Sequence, residues 1–285
     1  MRGGSKKEIA KKLREQVAKG IPLTGAGAGV GLSAKCAEEG GADLIIIYNS
    51  GRFRMAGQGS SCGRFSYSNA NEVIFELAEE VFPMVKRTPI IAGVLAIDPY
   101  INMEDLLHRI KERGFSGVQN FPTVGNIDIP IFSDNLQDVG MGYAREVEMT
   151  RLANQMDLLT TPYCFNEEQA RLMAATGTDI IVAHMGLTAK GMIGAGVANS
   201  LDECADKIKK IAKAAKSVNP EVMIIGHGGT ISEPEDAQYI YDRVPEAVGF
   251  YGASSAERLP TEKMLVEIVR EYKSIQIGGG ACAKS

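Results

Sequence analysis

Two of the three histidines in this sequence end short apolar runs, a position from which a side chain can act on a ligand. His184 ends the sixth such run and His227 ends the seventh. Histidine titrates closest to neutral pH and is a common metal ligand. Together with Asp98 or Glu257, the pair could move protons or bind a divalent ion such as Mg²⁺ or Zn²⁺. His108 lies in a helical pattern and is interpreted as a surface residue.

The two acids are the other candidate catalytic residues. Asp98 leaves the third apolar run and is followed by Pro99, a context that suits either an acid-base group or the cap of a helix. Glu257 follows a loop of small residues after the eighth run. The sequence alone does not say whether these acids bind a metal.

Anion-binding residues are predicted in the segment after the second run. Arg52 and Arg54, at a spacing of two beside a glycine, suit a bidentate grip on a carboxylate or phosphate. A solvated charge pair is the alternative. Asn49 precedes them at the end of the run and is assigned to the same substrate-binding set.

Amides, an aromatic hydroxyl and small residues stand at the other strand ends. Loops of small residues after the last two strands of an α/β barrel are a usual place for a phosphate, although the same residues also form simple turns. The predicted substrate-binding set is completed by Gln119, Asn120, Tyr163, Gly228, Gly229, Gly252, Ser254 and Ser255.

The glycine-rich loop 25–31 follows the first run. Its backbone N–H groups could hold an anion at a helix N-terminus, or the glycines could serve only a tight turn. A dinucleotide-binding fold would require an acid after the second run, where Tyr48, Asn49 and Ser50 stand instead. NAD binding is therefore not expected.

Eight apolar, β-branched runs alternate with amphipathic helical stretches such as Leu201–Val218. Most runs are apolar throughout, as expected for parallel strands buried on both faces. Repeated right-handed βαβ units close most simply as a (β/α)8 TIM barrel, with an open doubly wound sheet as the alternative. The runs are Pro22–Thr24, Ala42–Tyr48, Ile90–Ile97, Gly117–Phe121, Leu158–Tyr163, Asp179–His184, Val222–His227 and Ala247–Tyr251.

The predicted organisation is a helix over 1–20 that caps the barrel, a barrel over 21–275 and a flexible tail over 276–285. Three loops that follow strands are long, at 49–69, 122–142 and 185–200, whereas the loops on the opposite face are short. This asymmetry places function at the C-terminal ends of the strands.

Composition excludes several classes of protein. Of the 285 residues, 45% are hydrophobic, enough for a large core, and the net charge of −4 comes from interleaved acids and bases. The sequence lacks a basic stripe with interleaved aromatic residues, so nucleic-acid binding is not expected. No apolar run is long enough to cross a membrane, and the N-terminal segment has no apolar signal core. A cytoplasmic protein is expected.

Five cysteines in an odd, unpaired arrangement predict reduced thiols rather than disulfides or a zinc knuckle. The helical stretches around 73–78 and 171–176 are poor in charge for the outer helices of a barrel. Apolar outer faces are often buried between subunits, so a homo-oligomer is predicted.

Several strand-end segments resemble the phosphoenolpyruvate hydrolase-like family, also called the TIM-barrel signal-transduction family. The resemblance spans 21–272 and rests on LTGAGAGVGLSAKCAEEGGADLIIIYNSGRFRMAGQGS, GVQNFPTVG, LLTTPY, AHMGLT, GHGG and EPEDAQY with GFYGASSAERLP. It implies an eight-stranded α/β barrel and kinship to the C-terminal barrel of a plant tobamovirus-resistance protein. Phosphonopyruvate hydrolases of the isocitrate-lyase type carry an acidic metal motif after an early strand, whereas only Asp98 follows the third run here.

Two functions compete on these grounds. The first is a hydrolase or lyase that acts on a small phosphorylated, keto-acid or enol-acid substrate. The second is a non-catalytic barrel that senses a ligand or binds a protein, as the signal-transduction name suggests. Titratable residues at several strand ends favour the enzyme, because a scaffold requires none there.

Overall fold

The computed structural model describes residues 3–277. Residues 278–285, which make up most of the predicted flexible tail and include Cys282, lie outside the described residues. Within residues 3–277 the chain forms one parallel sheet of nine strands surrounded by eleven α-helices. None of the helices in this range is long and apolar enough to cross a membrane.

The strands form a closed ring in the order β5-β4-β3-β2-β1-β9-β8-β7-β6. The predicted fifth run contains β5 and the first residue of β6, and the two strands are separated by Thr161 and Pro162. Thr161 N donates to Val118 O at 3.1 Å on one side, and Val182 N donates to Pro162 O at 2.9 Å on the other, so this broken strand closes the barrel. The strands are β1 Leu23–Gly27, β2 Leu44–Ile47, β3 Ile90–Gly93, β4 Gly117–Gln119, β5 Leu159–Thr160, β6 Tyr163–Cys164, β7 Ile180–His184, β8 Met223–His227 and β9 Ala247–Gly252.

Helices follow the strands around the outside of the ring. Each of the eight predicted runs overlaps a strand, and the predicted (β/α)8 barrel is confirmed. The helices are α1 Lys6–Ala18, α2 Gly31–Glu39, α3 Asn49–Met55, α4 Ala70–Val81, α5 Met103–Arg113, α6 Pro130–Asp138, α7 Tyr143–Gln155, α8 Glu167–Ala175, α9 Leu201–Lys216, α10 Pro234–Arg243 and α11 Arg258–Ser274.

The strands are apolar on both faces because both faces are buried. Ile45 and Ile47 point outward and pack with the helices of one outer cluster, whereas Ile46 points inward and packs with the barrel interior. Alternate residues of a strand face opposite sides, so one run supplies both layers. The inner layer ends in aromatic residues at the C-terminal side of the strands, where the long loops lie.

Helix α1 closes the opposite end of the barrel. Its buried residues Ile9, Ala10 and Leu13 belong to the same cluster as the inward-facing strand residues. Arg14 also donates to Asp179 at 3.0 Å, at the start of β7. The predicted capping helix therefore forms part of the core.

Three features differ from the sequence-based expectations. The segments after β2 and β4 contain helices α3 and α6, although the sequence analysis treated both as loops. The apolar residues of α4 are buried against the barrel, so they do not form an intersubunit surface. Exposed apolar residues lie instead on α11, where Leu265, Val269 and Tyr272 are 59%, 56% and 69% exposed.

The contribution of α1 to the barrel core can be tested by Leu13→Ala. Leu13 is 5% exposed inside the barrel end, so its truncation is expected to lower the free energy of unfolding by about 2–5 kcal/mol, measured by urea denaturation. Lys7→Ala on the exposed face of the same helix is the matched control, with an expected change within about 0.5 kcal/mol. Equal effects of the two substitutions would show that α1 does not complete the core.

Candidate active site at the barrel mouth

A small cavity opens at the C-terminal ends of the strands, and we call it the mouth cavity. It is where the ends of β2, β6, β7, β8 and β9 meet the loops after β2 and β7. It is lined by Tyr48, Ser50, Ser60, Arg64, Phe121, Tyr163, His184, Gly186, Leu187, Thr188, His227, Ala253 and Ser254.

The two predicted histidines meet in this cavity. His184 and His227 are paired in register at the ends of β7 and β8, and their ring centroids lie 4.5 Å apart. The ring of Tyr163 lies 4.7 Å from His184 and 5.0 Å from His227. Phe165 packs on the other side of His184 at 4.7 Å. Both histidines are therefore held by aromatic contacts.

Backbone hydrogen bonds give the two histidines opposite tautomers. Gly186 N donates to His184 Nδ1 at 2.9 Å, which leaves the proton of the neutral ring on Nε2. His227 Nδ1 lies 2.8 Å from Tyr251 O, a pure acceptor, so Nδ1 carries the proton and Nε2 keeps a lone pair. The hydroxyl of Tyr163 is 3.5 Å from that Nε2. The cavity thus presents one imidazole donor and one imidazole acceptor.

Burial keeps both rings neutral. It lowers the pKa of His227 to about 4, an effect opposed by the hydrogen bond to Tyr251 and reinforced by the charge of Arg54. Burial likewise lowers the pKa of His184 well below its ordinary value, and the charges of His227, Arg64 and Lys207 act in the same direction. An imidazole without a nearby anion loses its hydration on burial, which disfavours the charged form.

Arg54 and Glu257 form a buried ion pair close to the cavity. The Nε of Arg54 donates to Glu257 Oε2 at 2.8 Å, and both side chains are 1% exposed. Glu257 Oε1 also accepts from Gly29 N at 2.6 Å and from the hydroxyl of Ser33. The anion at the glycine-rich loop after β1 is therefore the protein's own carboxylate, and Arg54 is already neutralised by it.

The cation that lines the mouth cavity is Arg64, which sequence reasoning missed. Arg64 ends the short 3-10 helix Ser60–Arg64 in the loop after β2. Its guanidinium lies 5.9 Å from the ring centroid of Phe121 and hydrogen-bonds Asn126. Burial lowers the pKa of Arg64, while the charge of Glu146 raises it. The sequence signal that could have revealed Arg64 is that a third arginine follows Arg52 and Arg54 in the long segment after β2.

Glu146 is a second missed residue, fully buried behind the cavity on α7. It accepts from Thr123 Oγ1 and Val124 N, both at 2.7 Å, and from Asn120 Nδ2 at 2.5 Å. Burial raises its pKa to about 7, although these bonds and the charge of Arg64 lower it. Sequence reasoning missed Glu146 because other charged residues of α7 surround it, so nothing in the pattern distinguishes it from an exposed helix residue.

Other predicted substrate-binding residues support the strand ends. Asn120 accepts from Tyr163 N at 2.7 Å, and Gln119 donates to Thr161 O at 3.2 Å. Both amides therefore tie the end of β4 to the broken strand that β5 and β6 form. Asn49 Nδ2 donates to Gly63 O at 2.8 Å and fixes the loop that carries Arg64.

Two serines follow β9 in different environments. Ser254 lines the mouth cavity, and its hydroxyl lies 3.1 Å from that of Ser60. The neighbouring Ser255 does not line the cavity, and its buried hydroxyl has no hydrogen-bond partner within residues 3–277.

Two predicted site residues lie apart from the mouth cavity. Asp98 accepts from Tyr100 N at 3.0 Å and from Asn71 Nδ2 at 3.2 Å, the role of a turn cap. Arg52 points outward from α3 to the exposed Glu76. Residues two positions apart on a helix point to nearly opposite faces, so the two arginines of α3 have different surroundings.

The predicted glycine cradle also has another role. Gly228 and Gly229 have φ of +75° and +63°, and Gly229 N donates to Gly186 O at 3.0 Å. A Cβ on Gly228 would lie 2.2 Å from Gly186 O, and one on Gly252 would lie 2.8 Å from the Cβ of Ala256. These glycines allow tight turns and close backbone packing next to the cavity.

The donor set does not fit a magnesium site. Within residues 3–277, no group of three histidine, cysteine, aspartate or glutamate side chains is placed to hold a metal ion. Glu257 and Glu146 are each occupied by several donors. The Nδ1 of His184 already accepts a hydrogen bond from Gly186 N, so the proton of the neutral ring is on Nε2, which offers no lone pair. The four cysteines in the described range are all free thiols.

The fold is that of a TIM-barrel protein, and several enzymes with solved structures share it. Phosphoenolpyruvate phosphomutase from Streptomyces platensis subsp. rosaceus superposes with a TM-score of 0.59 at 14% identity, covering 94% of this chain and 92% of that one. A phosphonopyruvate hydrolase in complex with oxalate and Mg²⁺ superposes with a TM-score of 0.58 at 13% identity, over 97% and 92%. At these identities the likeness shows the fold alone.

The chain belongs to the phosphoenolpyruvate hydrolase-like family, whose model matches residues 8–275. The ToMV resistance protein Tm-1 of tomato, Solanum lycopersicum, is 51% identical over 269 residues, which cover 94% of this chain. The chain spans 36% of the length of that relative. The resemblance inferred from the strand-end segments is confirmed.

The neutral state of His227 predicts a pH-dependent stability. Its folded pKa of about 4 lies below the ordinary value of 6.5, so its stabilising contribution is complete above pH 6.5 and is lost as the pH falls toward 4. The loss amounts to about 3 kcal/mol. In His227→Asn, the amide can still donate to Tyr251 O but does not titrate.

The measurement is urea denaturation of both proteins at pH 7.5 and 4.5. The stability advantage of the wild type over His227→Asn should shrink at the lower pH. Glu146, whose raised pKa acts in the opposite direction, is present in both proteins and cancels in the difference. A difference that is the same at both pH values would show that His227 is not held neutral.

Proposed function

We propose that the mouth cavity binds a small oxyanionic acid, of the keto-acid or enol-acid class, and acts on it as a hydrolase or lyase. The observation that carries this proposal is the pair of histidines in opposite tautomers at adjacent strand ends. A site with one fixed donor and one fixed acceptor can stabilise a developing oxyanion and take up a proton in the same step.

Each side chain of the cavity has a role in this proposal. Arg64, with the hydroxyl of Ser254, would bind the carboxylate, since it is the cation that lines the cavity. His184 would donate from Nε2 to the substrate oxygen on which negative charge develops. His227 would accept a proton at Nε2 from the attacking water or from a substrate hydroxyl. Tyr163, against both rings, would orient them and exclude water.

A ligand-sensing barrel is the second candidate, and the depressed histidine pKa values favour it. A pKa of about 4 makes His227 a weak base at neutral pH. An anion bound beside the rings would raise both pKa values, so binding would take up protons and would be tighter at lower pH. This coupling is expected of a sensor and an enzyme alike, and turnover separates them.

The predicted homo-oligomer is retained as a proposal, with α11 as its interface. Of the residues of this helix only Arg258 and Leu259 are buried. Leu265, Val269 and Tyr272 follow one another at helical spacing and form an exposed apolar face. Association would remove this face from water.

The catalytic proposal is tested with His184→Asn and His227→Asn. Asparagine can keep the backbone hydrogen bond that each Nδ1 makes while removing Nε2. Hydrolysis or cleavage of a panel of phosphorylated, keto and enol acids is expected to fall at least about 100-fold in either variant. His108→Asn, on the exposed face of α5, is the matched control and should keep full activity.

Ligand binding is measured in parallel by the rise in melting temperature with each acid. Binding without turnover of any acid by the wild type would favour the sensing barrel. Full turnover in both asparagine variants would exclude these histidines as the catalytic groups.

The oligomer proposal is tested by Leu265→Lys combined with Val269→Lys. Two charges on the apolar face should give a monomer by light scattering at micromolar concentration, whereas the wild type should be larger. Glu267→Lys on the opposite face of α11 controls for the change in charge. A monomeric wild type would contradict the proposal.

A further inference from the structure

A second and larger cavity lies beside the mouth cavity, and we call it the lateral cleft. It has a volume of about 830 Å³ and runs between the segment after β4, helix α6 and the beginnings of α7, α8 and α9. His184 and Gly186 line both this cleft and the mouth cavity. A ligand in the mouth cavity could therefore extend past His184 into the cleft.

Lys207 is the cation of this cleft. It lies on α9, is partly buried and lines the cavity together with His184 and Asn199. Within residues 3–277, no ion pair or hydrogen bond engages the Nζ of Lys207, which leaves it available to a ligand.

His184 lines both cavities and therefore feels the charge of two cations, one in each cavity. Arg64 lines the mouth cavity and Lys207 lines the lateral cleft, and after burial and His227 both charges lower the pKa of His184. Two cations near a neutral donor would repel a third positive charge. The same arrangement attracts a ligand with an anionic group at each end.

The acids of the cleft lie on its outer wall. Asp128, Asp134 and Glu168 line it from the loop after β4, α6 and α8, and all three are exposed. Glu148 is paired with Arg151 at 2.5 Å and is 52% exposed. Solvent screens these exposed charges more than it screens the partly buried Lys207. The charge of Lys207 is therefore less screened by solvent than the charges of these acids.

We propose that Lys207 forms a second anion subsite, so that the ligand is an acid with two anionic groups, one at Arg64 and the other at Lys207. This inference rests on the proposed function, because it assumes that an acid occupies the mouth cavity. The shared chemistry is a carboxylate joined through a short chain to a second carboxylate or to a phosphate.

The test is calorimetric titration of the full chain with three probes: butyrate, glutarate and 3-phosphoglycerate. The wild type should bind the better of glutarate and 3-phosphoglycerate about tenfold more tightly than butyrate. Lys207→Met should remove this preference and leave butyrate binding unchanged, and Lys207→Arg should restore it. Lys210→Met, exposed one turn along α9, is the matched control.

The outcomes separate this inference from the proposal beneath it. Equal binding of all three probes, unaffected by Lys207→Met, would overturn the second subsite and leave the mouth site standing. Failure of all three probes to bind would overturn both. A stronger response to glutarate than to 3-phosphoglycerate would identify the second group as a carboxylate, and the reverse would identify a phosphate.

Discussion

The buried ion pair between Arg54 and Glu257 joins the parts of the chain on which the mouth depends. Glu257 precedes α11, Arg54 lies on α3, and the same carboxylate accepts from Gly29 N before α2. Loss of one partner of a buried pair leaves an unpaired charge and typically costs about 3–5 kcal/mol. The pair therefore ties together the segments that follow three neighbouring strands, β9, β1 and β2.

The same electrostatics shape the histidine site. Arg54 is neutralised by Glu257 but still lowers the pKa of His227. The aromatic rings around His184 and His227 offer no anion to stabilise a protonated imidazole. Both imidazoles are consequently neutral, and their hydrogen bonds to the backbone of Gly186 and Tyr251 select their tautomers. A bound anion would supply the negative charge that is missing beside the two imidazoles and would favour their protonation.

Much of the fold and part of the site could be predicted from the sequence. Apolar runs of strand length are visible because strands buried on both faces carry few polar residues, and a residue that ends such a run must lie at the barrel mouth. His184, His227, Tyr163 and Ser254 were found in this way. Arg64 and Glu146 were missed, because Arg64 lies far from its strand end and Glu146 sits among ordinary helix charges. The apolar residues of α4 were assigned to a surface, although they pack inside the chain.

The sequence by itself determined the eightfold alternation of strands and helices, the face that carries the long loops and the family. These properties can be read from the sequence because they depend on local residue patterns and on motifs of consecutive residues. Only the tertiary structure decided which cation lines the cavity, because Arg52, Arg54 and Arg64 share one segment but point to the exterior, to Glu257 and to the mouth. It also decided the tautomers and the neutral state of the histidines. Burial and hydrogen-bond partners act through space, and residues more than 200 positions apart, such as Arg54 and Glu257, meet only when the barrel closes.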